Sequence, residues 1–378
     1  AILALPVRHT KLVPTMGTWF KDLFGFPEGG YEETQSRIHV WQETPDGPSL
    51  MQGPNRRTYQ AGHFSTPSLA ELEAAADERG GRAALQGRLQ VRNVCGEVSS
   101  LLGSPENRHA TFQAASQFNC LEYIGPEVKP EDGVTGYESD RTQGPACSVA
   151  CGPATVFRNY FAQVEGCVGQ RCDRQLNNLR ELSKRLGNEP EGRFFRVLGG
   201  YTLAKDNGLC ALNAELDSLG DEARQALRKE LRAGLHEDVQ VTSTNWGKCR
   251  VHDEEQIVTQ VFGSACSVSY SRNAPRLWEP FARLVLSASY EATLWAALLT
   301  ALRHGGKAGS RRVYLTCLGG GIFGNSSQWI TDAMQEAFHK FMDCGLEIYI
   351  VSYGQWLDPS LERLQEQFGD SRRQRRQQ

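Results

Sequence analysis

RVYLTCLGGGIFGNSSQWITDAMQEAFHKFMDCGLEIYIVSY, residues 312–353, reads as strand, glycine loop, helix, strand. Val313–Leu318 is short and apolar, with a β-branched and an aromatic residue at its start, which suits a strand covered on both faces. Gly319, Gly320 and Gly321 end it and leave room for backbone N–H groups to approach a ligand. A helix is expected from about Ser327 to Asp343. Its apolar residues Trp329, Ile330, Ala333, Met334, Ala337, Phe338, Phe341 and Met342 fall on one face. Asn325 or Ser326 can cap it, Gly345 stops it, and Leu346–Tyr353 is a second buried strand. A glycine loop that enters a helix after a parallel strand suits phosphate, because unpaired N–H groups and the helix dipole converge there. A tight βα connection without a ligand is the other reading of the same glycines.

Around this unit, the composition describes an ordinary globular chain. Of 378 residues, 40% are hydrophobic and 22% charged, enough for a sizeable core. A net charge of −3 gives no footprint for nucleic acid. No run of 18 uncharged apolar residues occurs, so no membrane span is expected. The 11 cysteines are scattered, with no CxxC and no histidine at zinc-ligand spacing. A reducing compartment, cytoplasmic or nuclear, is expected, and neither a metal nor a cofactor is specified.

Residues 1–88 are broken every few positions by proline or glycine, with aromatic anchors between, and read as an irregular extension packing on the core. Possible strands lie at Arg37–Glu43 and Arg57–His63, and Ser68 with Glu71 forms a capping box for a helix. From residue 89 the strands and helices become regular. Leu89–Val94 and His109–Ser116 are strands. About 25 residues follow, from Cys120 to Gly144, carrying Glu122, Glu131, Asp132, Glu138, Asp140 and Arg141. A loop of that length inside a compact domain is usually functional or disordered. A helix begins near Pro145 and bends at Gly152-Pro153. Phe195–Leu203 and Leu209–Ala214 read as a hairpin turning at Asn207-Gly208. Arg276–Arg303 is a long helix, and residues 359–378 form a polar, basic tail.

Two loops therefore end parallel strands and lead into helices, one after HATFQAAS and one after RVYLTCL. In an open α/β sheet, ligands bind at the carboxyl ends of strands. On these residues the chain resembles the macro domain, the ADP-ribose-binding fold. FQAASQFN (112–119) is similar to its Asn-bearing strand end and GGGIFGN (319–325) to its second phosphate loop. LVLSASYEATLWAALLTA (284–301) is similar to the helix before that loop, and IYIVSY (348–353) to the last core strand. QVRNVCGEV (90–98) resembles the early strand whose acidic residue meets the adenine amine. DGVTGYESDRTQGPA (132–146) looks nearer to the poly-ADP-ribose glycohydrolase type and to macro-type hydrolases of bacterial effectors. It departs from them where Gln143 is followed by Gly144-Pro145, because the expected Glu-Glu pair is missing.

The resemblance implies a three-layer α/β/α mixed sheet over residues 89–358. It implies ADP-ribose or ADP-ribosylated protein as ligand, and hydrolysis of the glycosidic bond as the activity; a module that binds ADP-ribose without cutting it is the alternative. It also implies site residues. Asp132, Asp140 or both, with Asn119, would serve the ribose. Gln143, Gly319, Gly320, Gly321, Ile322, Phe323, Gly324 and Asn325 would line the diphosphate and distal ribose. Glu97 and Tyr353 would meet the adenine.

Overall fold

The computed structural model describes residues 18–353 and 358–369. Nine strands form one sheet: β1 (His39–Trp41), β2 (Ser49–Gln52), β3 (Thr58–Ser65), β4 (Gln90–Cys95), β5 (Thr111–Ser116), β6 (Gly234–Gln240), β7 (Ile257–Ser264), β8 (Arg312–Leu315) and β9 (Glu347–Ser352). Their order across the sheet is β1-β2-β3-β6-β7-β5-β8-β9-β4. From β7 to β4 the neighbours are parallel. From β7 to β1 they are antiparallel. The expected three-layer α/β/α mixed sheet is the fold the chain adopts.

Alternation along the strands explains the layers. Val313 and Leu315 of β8 join one apolar cluster and Tyr314 joins the other. On the first face lies the 29-residue helix Pro275–Arg303, flanked by Leu69–Asp77, Gly208–Ser218, Asp221–Lys229 and Ser327–Lys340. It is long and apolar enough to cross a bilayer, yet 94% of its most apolar window is buried within the protein. It is the central core helix. The second face carries Val98–Leu102, Gln143–Ala150 and Gly152–Tyr160. There Phe112, Tyr314 and Tyr349 stack across three neighbouring strands, with centroids 4.4 and 5.0 Å apart. Such cross-strand pairs fix register.

Several expectations are corrected. The stretch before residue 89 is more regular than its prolines and glycines suggested. It contributes β1–β3, with β3 paired directly to β6, and its aromatic residues close a third apolar cluster against the 120–140 loop. The expected hairpin at Asn207-Gly208 is displaced: the two short strands are Phe195–Leu198 and Tyr201–Ala204, turning at Gly199-Gly200, both at positive φ. Asn207, at φ 58°, instead precedes the helix Gly208–Ser218. The basic tail begins with structure, since Pro359–Phe368 is a helix with Leu361, Leu364 and Phe368 buried. Its Gln365 accepts the Asn93 amide of the edge strand β4 at 2.6 Å, which covers an edge that would otherwise be open. The arginines from Arg372 to Arg376 lie outside the described residues. The capping box at Ser68 and Glu71 and the break at Gly152 are both present as expected.

Candidate functional site

The carboxyl ends of all five parallel strands open into one cleft with two lobes. The larger encloses about 240 Å³. It is lined by Ala115 to Gln117 after β5, Gly263 and Ala265 at the end of β7, Thr316 to Gly319 after β8, and Gly321 to Phe323 of the glycine loop. The smaller, about 160 Å³, is lined by Gly96 and Glu97 after β4, Val351 and Tyr353 at the end of β9, and Arg141 and Trp246. Thr142, Gln143 and Thr316 line both lobes and mark the passage between them.

The glycine loop is held from within. Gly319 and Gly324 adopt φ of 68° and 74°, a conformation costly for any side chain-bearing residue. The amides of Gly320, Gly324 and Asn325 donate to carbonyls of the loop itself, at 3.0, 3.0 and 2.9 Å. The buried Asn325 ties the loop to the Cys266 carbonyl at 2.8 Å. Those three residues shape the loop without lining the cleft, which corrects their expected role as ligand contacts. The cleft is lined instead by Gly319, Gly321, Ile322 and Phe323. The amides of the last three donate to no acceptor among the described residues. Three successive free N–H groups beside a helix N-terminus suit an anion. The side chain of Phe323 packs against Tyr201 and Tyr270, at 5.2 and 5.7 Å between centroids. Neither tyrosine was singled out in the sequence.

On the acidic loop, two expected residues leave the site. Asp132 is exposed and accepts the Lys129 amide at 2.9 Å, closing its own turn. Asn119 is fully buried, donating to Gln175 at 2.8 Å and accepting the Leu121 amide at 3.1 Å. Both have turn-forming work instead. Asp140 does line the larger lobe, where it accepts the Thr142 amide at 3.0 Å. Gln143 lines both lobes, but its amide group bridges the Ala115 N–H and the Gln113 carbonyl, each at 2.8 Å, and so joins the helix start to β5. In the smaller lobe, the Glu97 carboxylate accepts the amides of Ser99 and Ser100 at 3.0 and 3.1 Å, the ordinary work of a helix cap. Tyr353 is 80% exposed at the rim. Arg141 lies over the Trp246 ring at 4.8 Å, a favourable cation–π geometry.

The residue that sequence reasoning passed over is Glu122. It lines the larger lobe while being only 2% exposed. Its backbone N–H donates to the Tyr137 hydroxyl oxygen at 2.9 Å. Its Oε1 is buried with no hydrogen-bond partner among the described residues. Burial pushes its carboxyl up to about 8, against the pull of nearby Arg158 and Ser116 and with a further push from Asp140. Arg158, itself fully buried, spends its guanidinium on the Cys120 carbonyl and on the hydroxyls of Ser148 and Thr155. A neutral carboxyl at pH 7 is thereby placed on the floor of the cleft. A Cβ on Gly144 would collide with the Glu122 carboxylate. The glycine that replaces an expected acid thus leaves the space that Glu122 fills. The available signal was an acid set between Leu121 and Tyr123 in an otherwise apolar run, paired with that small residue.

The loop that presents Glu122 is fastened by the N-terminal segment. The Glu28 carboxylate accepts the amides of Val134 and Thr135 and the hydroxyls of Thr135 and Tyr160, at 2.5 to 2.9 Å. Trp19 donates its indole N–H to the Thr135 carbonyl at 3.1 Å.

No protein-family model matches the chain, and no curated protein matches it. Solved structures of similar shape include poly(ADP-ribose) glycohydrolase from Thermomonospora curvata, 13% identical, covering 89% of this chain and 96% of that one at a TM-score of 0.40. They also include poly(ADP-ribose) glycohydrolase from Deinococcus radiodurans in complex with ADP-ribose, 12% identical, covering 81% and 93% at a TM-score of 0.42.

Proposed function

We propose that the chain is a hydrolase that releases ADP-ribose from modified protein, with Glu122 as its acid–base group. The observation that carries this reading is a buried, largely neutral carboxyl on the floor of a two-lobed cleft at the carboxyl ends of five parallel strands. The lobes suit the two ends of ADP-ribose. Trp246, Arg141, Tyr353 and Glu97 offer ring faces and an acid to a purine. The free amides of Gly321, Ile322 and Phe323 offer donors to a diphosphate. Phe323 with Tyr201 and Tyr270 gives an apolar wall to the distal ribose.

In this reading the diphosphate anchors the ligand, so that binding energy positions the anomeric carbon. As the bond from that carbon to the protein-linked oxygen breaks, its electron pair goes to the oxygen, and the Glu122 carboxyl supplies the proton. The sugar passes through an oxocarbenium-like state. Water then adds to the anomeric carbon and gives a proton to the Glu122 carboxylate, which restores the acid. Burial keeps Glu122 protonated, with a smaller push from Asp140 at the cleft wall.

The test measures ADP-ribose released from modified protein, beside ADP-ribose binding by calorimetry. Glu122→Gln keeps shape and removes the transferable proton. Release is expected to fall by about 10²- to 10⁴-fold with binding changed little. Equal release by the variant would overturn the role of Glu122. Binding without release by the native chain would favour a reader, which the missing Glu-Glu at Gly144-Pro145 also favours. Absence of binding would remove ADP-ribose from consideration.

A further inference from the structure

At the opposite end of the sheet, where the parallel strands begin, three side chains from distant parts of the chain converge. His109 lies two residues before the start of β5. Asp238 sits at the irregularity in β6, where pairing with β7 shifts between His236 and Val239. His304 follows the last residue of the helix Pro275–Arg303. One ligand atom from each lies within 4.8 Å of the others. The His304 Nε2 to Asp238 Oδ1 distance is 3.5 Å, close to the roughly 3.3 Å between neighbouring ligand atoms around a tetrahedral ion with bonds of about 2.0–2.1 Å.

Two further observations set the cluster apart from an incidental one. Nδ1 of His109 is buried without a hydrogen-bond partner among the described residues, although buried ring nitrogens are normally paired, and Nε2 of His304 faces the Asp238 carboxylate at 3.5 Å. The rings themselves stack with centroids 4.0 Å apart, so the two nitrogens belong to adjoining imidazoles. In addition, both His109 and Asp238 take left-handed backbone, φ 65° and 56°, which few L residues adopt.

We propose that His109, Asp238 and His304 bind one divalent ion of the zinc class, with water in the fourth position, and that the ion ties the end of the long helix to the starts of the strands. Two imidazoles and one carboxylate favour zinc over calcium or magnesium, which take oxygen ligands. The basic neighbour Arg303 contacts both Asp238 oxygens, at 3.2 and 3.3 Å, but also pairs with Glu237 at 3.0 Å. It keeps that partner when Asp238 turns to the ion. The imidazoles must splay from their stacked arrangement to point at one centre. The site lies away from the cleft, so the proposal stands apart from the reaction proposed above.

Cobalt(II) is the probe, because the exposed Cys95, Cys167, Cys172, Cys210 and Cys249 also attract zinc, and thiolate ligation gives a distinct charge-transfer band. Metal-stripped full chain is titrated with cobalt(II) by absorbance, then with zinc(II), and unfolding is followed with and without zinc(II). The expected result is one equivalent of cobalt(II) with ligand-field bands and no thiolate band, displaced by zinc(II), which raises Tm. Asp238→Asn preserves shape, and asparagine tolerates left-handed backbone. It and His304→Gln, checked for folding by circular dichroism, are each expected to weaken cobalt(II) binding by more than the roughly 10- to 100-fold that loss of an outer-sphere partner costs, and to abolish the rise in Tm. No stoichiometric band, a thiolate band, or a band that survives Asp238→Asn in the folded protein would overturn the proposal.

Discussion

In the proposed reaction, the proton that is transferred belongs to Glu122. An ionised carboxylate with one oxygen unpartnered in the interior is costly, so the group stays neutral and its range moves from 4.5 to about 8. In the unfolded chain it ionises near 4.5. Its contribution to stability is therefore fully present below that pH and is lost as pH rises through about 8. The native chain is expected to lose stability relative to Glu122→Gln between those limits, which denaturant melts at pH 5, 7 and 8.5 would measure. If Glu122 is the acid, release of ADP-ribose should also decline with an apparent limb near pH 8. A limb that remained in Glu122→Gln would belong to another group. Gly144 belongs to the same argument. Gly144→Ala drives a methyl into the Ala115 carbonyl and the Glu122 carboxylate, and overpacking of this kind costs about 1–3 kcal/mol. Chemical denaturation would read the loss, and release should fall further than stability, because the displaced group is Glu122.

Among the elements, the loop from Cys120 to Gly144 shows how an irregular segment is made rigid. It has no long helix or strand, only the turns Pro130–Asp132 and Thr135–Ser139. Leu121, Tyr123, Val134 and Tyr137 are nonetheless buried against Trp19, Phe20, Phe24 and Tyr59. The polar fastening is Glu28, whose carboxylate holds the loop backbone at Val134 and Thr135. Hydrogen bonds to charged groups contribute about 1.5–3 kcal/mol, so Glu28→Ala should cost stability in that range. It should also open residues 125–139 to limited proteolysis and lower release without touching the ligand. Unchanged proteolysis with full release would show that the apolar contacts alone hold the loop. The glycine loop is the opposite case, a segment that fixes itself through Gly319, Gly324 and Asn325 and leaves three amides without an acceptor among the described residues.

At the scale of the whole molecule, the sheet holds the two proposed sites apart. The carboxyl ends of the parallel strands form the cleft, and their starts carry the His109–Asp238–His304 cluster. Between them, the central helix is clamped by charge as well as by packing. Buried Glu291 pairs with Arg228 and with Lys340, and Lys340 also reaches Glu73 at 2.9 Å. The edge strand β4 is sealed by the helix Pro359–Phe368. Leu361→Ala removes a buried anchor of that helix and is expected to cost about 2–5 kcal/mol. A loss below 1 kcal/mol in urea melts would mean that the helix is not seated on the sheet.

What the sequence determined by itself is local. Alternation along 313–315, one apolar face from Trp329 to Phe341, the capping box at Ser68 and the glycines at 319–321 each rest on periods and conformations set within a few residues, and each is legible there. The parallel βαβ unit, the mixed sheet and the presence of two loops at its rim follow from them. Tertiary structure decided the rest. That β3 joins β6 depends on residues 63–65 meeting residues 235–237, a pairing no local pattern encodes. That Asp132 and Asn119 close turns while Glu122 faces the cleft depends on which side of an irregular chain is covered by Trp19, Phe24 and Glu28. The protonation of Glu122 depends on burial and on the charges of Arg158 and Asp140 around it. A carboxyl's identity is written in the sequence, but its environment, and therefore its chemistry, exists only once distant segments have packed around it.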